Sequence, residues 1–121
     1  MNITPYLNFD GDCVEAMAFY AQVFQGHIVY QSTFGEMPAD PNMPPLPDAA
    51  KNRIMHAHLQ FGSNSLMASD TMPILPGMDA QACGGGYQKP QGLWISIGVD
   101  SAEEGQRVFD ALAVGGHVTM P

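Results

Sequence analysis

Asp12-Cys13-Val14-Glu15-Ala16-Met17-Ala18-Phe19-Tyr20-Ala21-Gln22-Val23-Phe24-Gln25-Gly26-His27-Ile28-Val29-Tyr30 reads as a helix with marked ends, followed by a strand. Asp12 and Glu15 have the spacing of a capping box, an acceptor side chain at the N-cap and a carboxylate three residues on. Ala16, Phe19, Tyr20, Val23 and Phe24 fall on one helical stripe, and Gly26 supplies the stop. The same order returns about 90 residues later. Ser101 and Glu104 repeat the cap, Val108, Phe109, Leu112 and Ala113 the stripe, Gly115-Gly116 the stop, and His117-Val118-Thr119-Met120 the strand. Each helix is expected to run about three turns.

The flanks repeat as well. Ile3 to Phe9 reads as a strand with Ile3, Leu7 and Phe9 on one face, and Leu93 to Val99 does the same with Ile95, Ile97 and Val99. Between the copies the pattern changes to period two. Met55, Ala57, Leu59 and Phe61 alternate with Ile54, His56, His58 and Gln60, and Gly62-Ser63-Asn64 turns the chain into Ser65 to Asp70. Internal duplication is the economical account of a strand–helix–strand–strand–strand unit that begins again. The second copy stops at its third element, so the natural sequence is expected to continue past Pro121. Two stretches fit neither period: 35–52, with five prolines, and 72–92, with three more and Gly84-Gly85-Gly86. They read as lids, binding loops or plain connectors, and Met37, Met43, Met72 and Met78 would give a lid an adaptable apolar lining.

Composition narrows the class. A chain of 121 residues with 45% hydrophobic content suits one globular domain. Four basic residues against twelve acidic ones give a net charge of -8, which argues against nucleic-acid binding because such a surface repels phosphates. No apolar run approaches the roughly 20 residues of a membrane helix. Met1 to Tyr6 lacks the charged start and apolar core of a signal peptide, and Cys13 and Cys83 are too few for a disulfide scaffold. A cytoplasmic location is the resulting expectation.

Ala16-Met17-Ala18-Phe19-Tyr20, running on to Phe24-Gln25-Gly26, within a duplicated βαβββ unit resembles the vicinal oxygen chelate superfamily of glyoxalases, dioxygenases and bleomycin-resistance proteins. Pro5-Tyr6-Leu7-Asn8-Phe9, Ile54-Met55-His56-Ala57 and Leu66-Met67-Ala68-Ser69-Asp70 look like its PhnB-like branch. The resemblance spans nearly the whole chain. It implies an α+β fold of duplicated βαβββ units, with curved mixed sheets around a cavity and helices outside, usually as a homodimer. Unit one would cover 1–70, a linker 71–92 and a partial unit two 93–121 of a single domain. Period-two sorting then turns Thr4, Tyr6, Asn8, His56, His58, Gln60, Trp94, Ser96 and Gly98 toward the cavity.

Metal-dependent members of the superfamily carry His, Gln or Glu at positions that align here with Thr4, Met67 and Trp94, which are poor ligands for Zn²⁺, Mn²⁺ or Ni²⁺. No metal or other cofactor is therefore expected at the usual place. His56 and His58, at i and i+2 on one strand, are read as hydrogen-bonding pocket walls, as the start of a relocated metal site completed by Asp70, Glu36 or His117, or as part of an exposed sheet face. His56 also suits general acid–base work. Tyr6 and Asn8 are read as orienting a ligand and Trp94 as stacking on it, or else as ordinary polar and core residues. Cys13 sits where a helix N-terminus lowers a thiol pKa, but a structural role is the favoured reading. The expected function is metal-free small-molecule binding of the bleomycin-resistance kind. The alternative is a metal-dependent or His-based lyase, isomerase or dioxygenase. The methyltransferase label that the PhnB-like branch carries is rejected, because no Gly-rich strand-to-helix turn with a ribose-binding acid is present.

Overall fold

The alternation along 54–70 builds the centre of the sheet. The computed structural model describes residues 1–38, 40–42, 45–72, 77, 79 and 85–121. Within them run strands β1 (Tyr6–Phe9), β2 (His27–Thr33), β3 (Ile54–Phe61) and β4 (Asn64–Asp70), with helices α1 (Cys13–Val23), α2 (Asp48–Lys51) and α3 (Ala102–Ala113). The fold class is α+β. The sheet order is β1-β4-β3-β2, with β1 parallel to β4 and the other pairs antiparallel. Met43, Met78, Cys83 and Gly84, all named above, and Pro44, one of the five prolines of 35–52, lie outside the described residues.

One face of this sheet carries the core. Ala57 pairs with Ala68 and Leu59 with Leu66, so these four side chains share a face. They pack with Cys13 and Met17 of α1 and with Ile54, and Leu7, Phe9, Tyr20, Phe24 and Phe61 close the cluster. The helix buries Cys13, Met17 and Val23, whereas Phe19 is 39% exposed, contrary to the expected stripe. At 100° per residue, Phe19 lies about 200° from Met17, on the far side of the helix. Ile54 was placed with the histidines but is buried against α1. Ser32 pairs with His56 and Thr33 with Ile54, which leaves Met55 as the extra residue of a β-bulge and turns Ile54 over. A second bulge at Val29 shifts β2 between Ile28 and Tyr30.

The helix ends differ from their sequence signals. Asp12 makes no side-chain cap. Instead Asp70, at the end of β4, accepts from Gly11 N at 2.8 Å, Cys13 N at 3.1 Å and Ile54 N at 2.8 Å. At the other end the left-handed residue is Gln25, with φ 56°, rather than Gly26. Gly26 N donates to Ala21 O and Gln25 N to Gln22 O, the paired bonds of a Schellman motif. Gly26 is required for a different reason. A Cβ there would lie 2.5 Å from Gln60 O and 2.8 Å from Phe61 Cβ.

Helix α3 keeps its expected cap, Ser101 Oγ accepting from Glu104 N at 3.1 Å. Its Arg107 donates to Val23 O at 2.9 Å and so ties α3 to the last turn of α1. The flanking segments 93–99 and 117–120, expected as strands, are not strands. A strand is held by a ladder of hydrogen bonds to a neighbour, and neither segment pairs with a strand among the described residues. Their apolar side chains stay partly in water, with Ile95, Ile97 and Val99 all more than 40% exposed. Ile3, also expected to pack under a helix, precedes β1 and is 93% exposed. No helix among the described residues is long and apolar enough to cross a membrane.

Candidate functional site

The face of the sheet turned away from α1 gathers most of the polar and aromatic residues singled out above. Ladder partners share a face, so Tyr6 stands beside Met67, Met67 beside His58, His58 beside Tyr30, and His56 beside Ser32. Asn8 belongs to the same face and accepts from Ser69 Oγ at 3.3 Å. Four short strands thus bring residues from positions 6 to 69 onto one surface.

His56 is the centre of it. Its Nδ1 lies 3.1 Å from Tyr6 Oη, a hydrogen bond whose donor depends on the imidazole tautomer. The Tyr6 ring stacks on the imidazole with centroids 5.7 Å apart and planes 28° apart. Tyr30 meets the same imidazole from β2 at 5.9 Å and 43°. His56 Nε2 has no hydrogen-bond partner among the described residues. His58 is engaged separately, its Nε2 2.9 Å from Ser65 Oγ. Tyr6 is 47% and Tyr30 54% exposed, so about half of each side chain can be reached by an incoming molecule. Chemically, this surface can stack a planar group and exchange a hydrogen bond or a proton at one imidazole nitrogen. The bulge at Val29 is what sets Tyr30 opposite His58, and nothing in the local sequence marked Tyr30 as a site residue. Ser32 was also missed. Its hydroxyl is buried on this face without a hydrogen-bond partner among the described residues.

The remaining candidates lie elsewhere. Trp94 is 92% exposed and outside the four strands. Asp70, weighed as a third metal ligand beside the histidines, sits on the helix side, where its carboxylate is taken up by three backbone amides. No group of three His, Cys, Asp or Glu side chains suited to a metal ion occurs among the described residues. Cys13 is fully buried, and its thiol is pushed up to about 12 by burial and then by the negative charges of Asp70 and Asp12. The helix N-terminus would lower it, but desolvation of the thiolate and two carboxylates outweigh that field.

A cleft of about 660 Å³ opens at a different place, between Met1–Pro5, the β3–β4 turn and Ile95–Gly98, with Tyr20, Phe24 and Leu112 at its base. Its walls are polar and apolar in about equal measure, with Asn2, Thr4, Ser63, Asn64, Ser65 and Ser96 among the apolar side chains, and Tyr6, Asn8, His56, His58 and Trp94 take no part in it. Tyr20 is the one ionisable side chain among its described walls. The cleft offers volume without histidine or carboxylate side chains among its described walls, whereas the histidine face offers an imidazole on an open surface.

Sheet order and helix placement give the chain an α+β fold that it shares with the solved proteins of PhnB and PA1353 type. The chain is 31% identical to Protein YjdN of Escherichia coli strain K12 over 99% of its own length and 78% of that protein, and it belongs to the YjdN family. Protein PA1353 from Pseudomonas aeruginosa, known from a crystal structure, superposes on all of the chain and on 78% of its own length, with a TM-score of 0.78 and 40% identity. The PhnB protein from Bacillus cereus shares the fold at 24% identity, with a TM-score of 0.60 over the whole chain and 80% of that protein. No protein-family model matches the chain.

Proposed function

We propose that the chain is a small-molecule-binding protein of the glyoxalase and bleomycin-resistance type, whose ligand lies on the open face around His56. The observation that carries this reading is the Tyr6–His56–Tyr30 array, aromatic and half exposed, with one imidazole nitrogen unengaged among the described residues. Tyr6, Asn8 and His58 frame the ligand. Trp94 joins them only if segment 93–99 acquires a strand partner and swings its ring to the sheet. That is the arrangement a second βαβββ unit of the duplicated fold would give, with 1–70, 71–92 and 93–121 as unit, linker and partial unit. The working form is taken to be a homodimer, because the exposed apolar row at Ile95, Ile97 and Val99 needs a cover. A cytoplasmic location remains part of the proposal.

The usual metal positions are taken as lost. Hydroxyl, thioether and indole at Thr4, Met67 and Trp94 do not fit a divalent ion, and Trp94 is far too exposed to serve as an inner ligand. No resident cofactor is proposed. The second reading, an enzyme with His56 as general base, is favoured by the Tyr6 hydrogen bond at Nδ1, which orients the imidazole.

The test is a fragment screen read by NMR at the rings of Tyr6, Tyr30 and His56. Binders should shift these signals and lose about tenfold or more in affinity in His56→Ala, with circular dichroism unchanged. Binders that move only Leu7, Tyr20 and Ile97 would place the site in the cleft between Met1–Pro5 and Ile95–Gly98 and overturn the reading.

A further inference from the structure

The charge distribution around the open face narrows the ligand class. The chain holds only four lysines and arginines, and none of them belongs to β1, β2, β3 or β4. Lys51 pairs with Asp48 at 3.1 Å in α2. Arg53 pairs with Asp10 at 2.8 Å, and Arg107 is bound to Val23 O on the helix side. Lys89 lies on the exposed segment between the two halves of the chain, outside every strand. An anion on the histidine face would therefore meet no fixed positive side chain from the sheet, within a molecule whose net charge is -8.

What the face does present is π-surface. The rings of Tyr6 and Tyr30 flank the imidazole from opposite strands and are each about half exposed. The negative quadrupole faces of phenol rings attract cations, and in an acidic molecule the long-range field acts in the same direction. We infer that the ligand of this face is a planar ring bearing no negative charge, and that a cationic ring is held more tightly than its neutral isostere. The inference rests on the binding reading above and deepens it by naming the ligand class.

Four isosteric probes test it: benzamidinium, benzamide, benzoate and cyclohexanecarboxamide. Each is titrated at about pH 8, where imidazole is normally neutral, while the rings of Tyr6, Tyr30 and His56 are followed by NMR. Benzamidinium should bind about two- to fivefold more tightly than benzamide, and benzoate more weakly than benzamide by a similar factor. Cyclohexanecarboxamide should shift the rings least. Tyr30→Leu should remove most of the benzamidinium advantage, while the sheet is retained by circular dichroism.

Benzoate binding as tightly as benzamide would overturn the charge assignment and leave the small-molecule reading standing. Cyclohexanecarboxamide matching benzamide would overturn the stacking platform. A benzamidinium advantage that survives in Tyr6→Leu/Tyr30→Leu would assign it to the global charge and overturn the role of the rings. If no probe shifts the three rings at high millimolar concentration, the binding reading fails together with this inference.

Discussion

Helices α1 and α3 open with the same local signal and are capped in opposite ways. Ser101 Oγ receives the Glu104 amide from three residues away, at the surface. Asp12, in the equivalent place, caps nothing, and the start of α1 is held by Asp70 from the end of β4. One carboxylate there joins Gly11, Cys13 and Ile54, so the cap also fastens β4 to the entry of β3 and to the turn after β1. The difference follows from burial. A helix lying on the sheet has its first amides out of water, where a side chain from the sheet can reach them. A helix at the surface relies on its own neighbours and on solvent.

Breaking the long-range cap should have the largest effect. Asp70→Ala leaves three amides without their charged acceptor and is expected to cost about 3–5 kcal/mol, measured by urea denaturation. A loss below about 1 kcal/mol would show that water or Asp12 replaces it. The buried start of α1 makes a second prediction, in the pH dependence of stability. The folded state holds the Cys13 proton up to about 12 against an ordinary 9.0, so between these values the native chain binds more protons than the unfolded one. Stability should therefore be unaffected by this group below pH 9.0 and fall above it, by up to roughly 1.4 kcal/mol per pH unit, until about pH 12. Cys13→Ala should flatten that limb of the profile. An unchanged slope in the variant would assign the alkaline loss to other groups. Smallest is the local cap: Ser101→Ala should cost about 1 kcal/mol and leave the Asp70 cap untouched. A loss as large as that of Asp70→Ala would erase the contrast between the two helix starts.

Some residues could be placed from pattern alone and others could not. The alternation of Ala57 and Leu59 with His56 and His58 was visible in the sequence, and it correctly put the two histidines together on the face away from the helix. Both helices were legible within a residue or two from their stripes and stops. Ile54 was misplaced because a bulge at Met55 depends on how β2 meets β3, which period two cannot encode. Tyr30 was invisible as a site residue for the same reason, since the bulge at Val29 sets its register. Cys13 looked activated while the helix end was considered alone. Its surroundings, two carboxylates and a dry core, reverse the sign.

Periodicity and end signals by themselves determined where α1 and α3 run, that 54–70 folds as a hairpin, and which side of β3 carries histidines; the short helix α2, inside the proline-rich 35–52 where no helix is expected, escaped them. They could do so because apolar spacing records which face of an element is buried. Only the tertiary structure decided that Asp70 rather than Asp12 caps α1, that Gly26 is needed for its approach to Gln60, and that Tyr6 and Tyr30 meet at His56. It likewise decided that 93–99, with the pattern of a strand, is not one. Each of these depends on a partner distant in sequence. A hydrogen bond, a close contact or a strand ladder exists only when both halves are brought together in space.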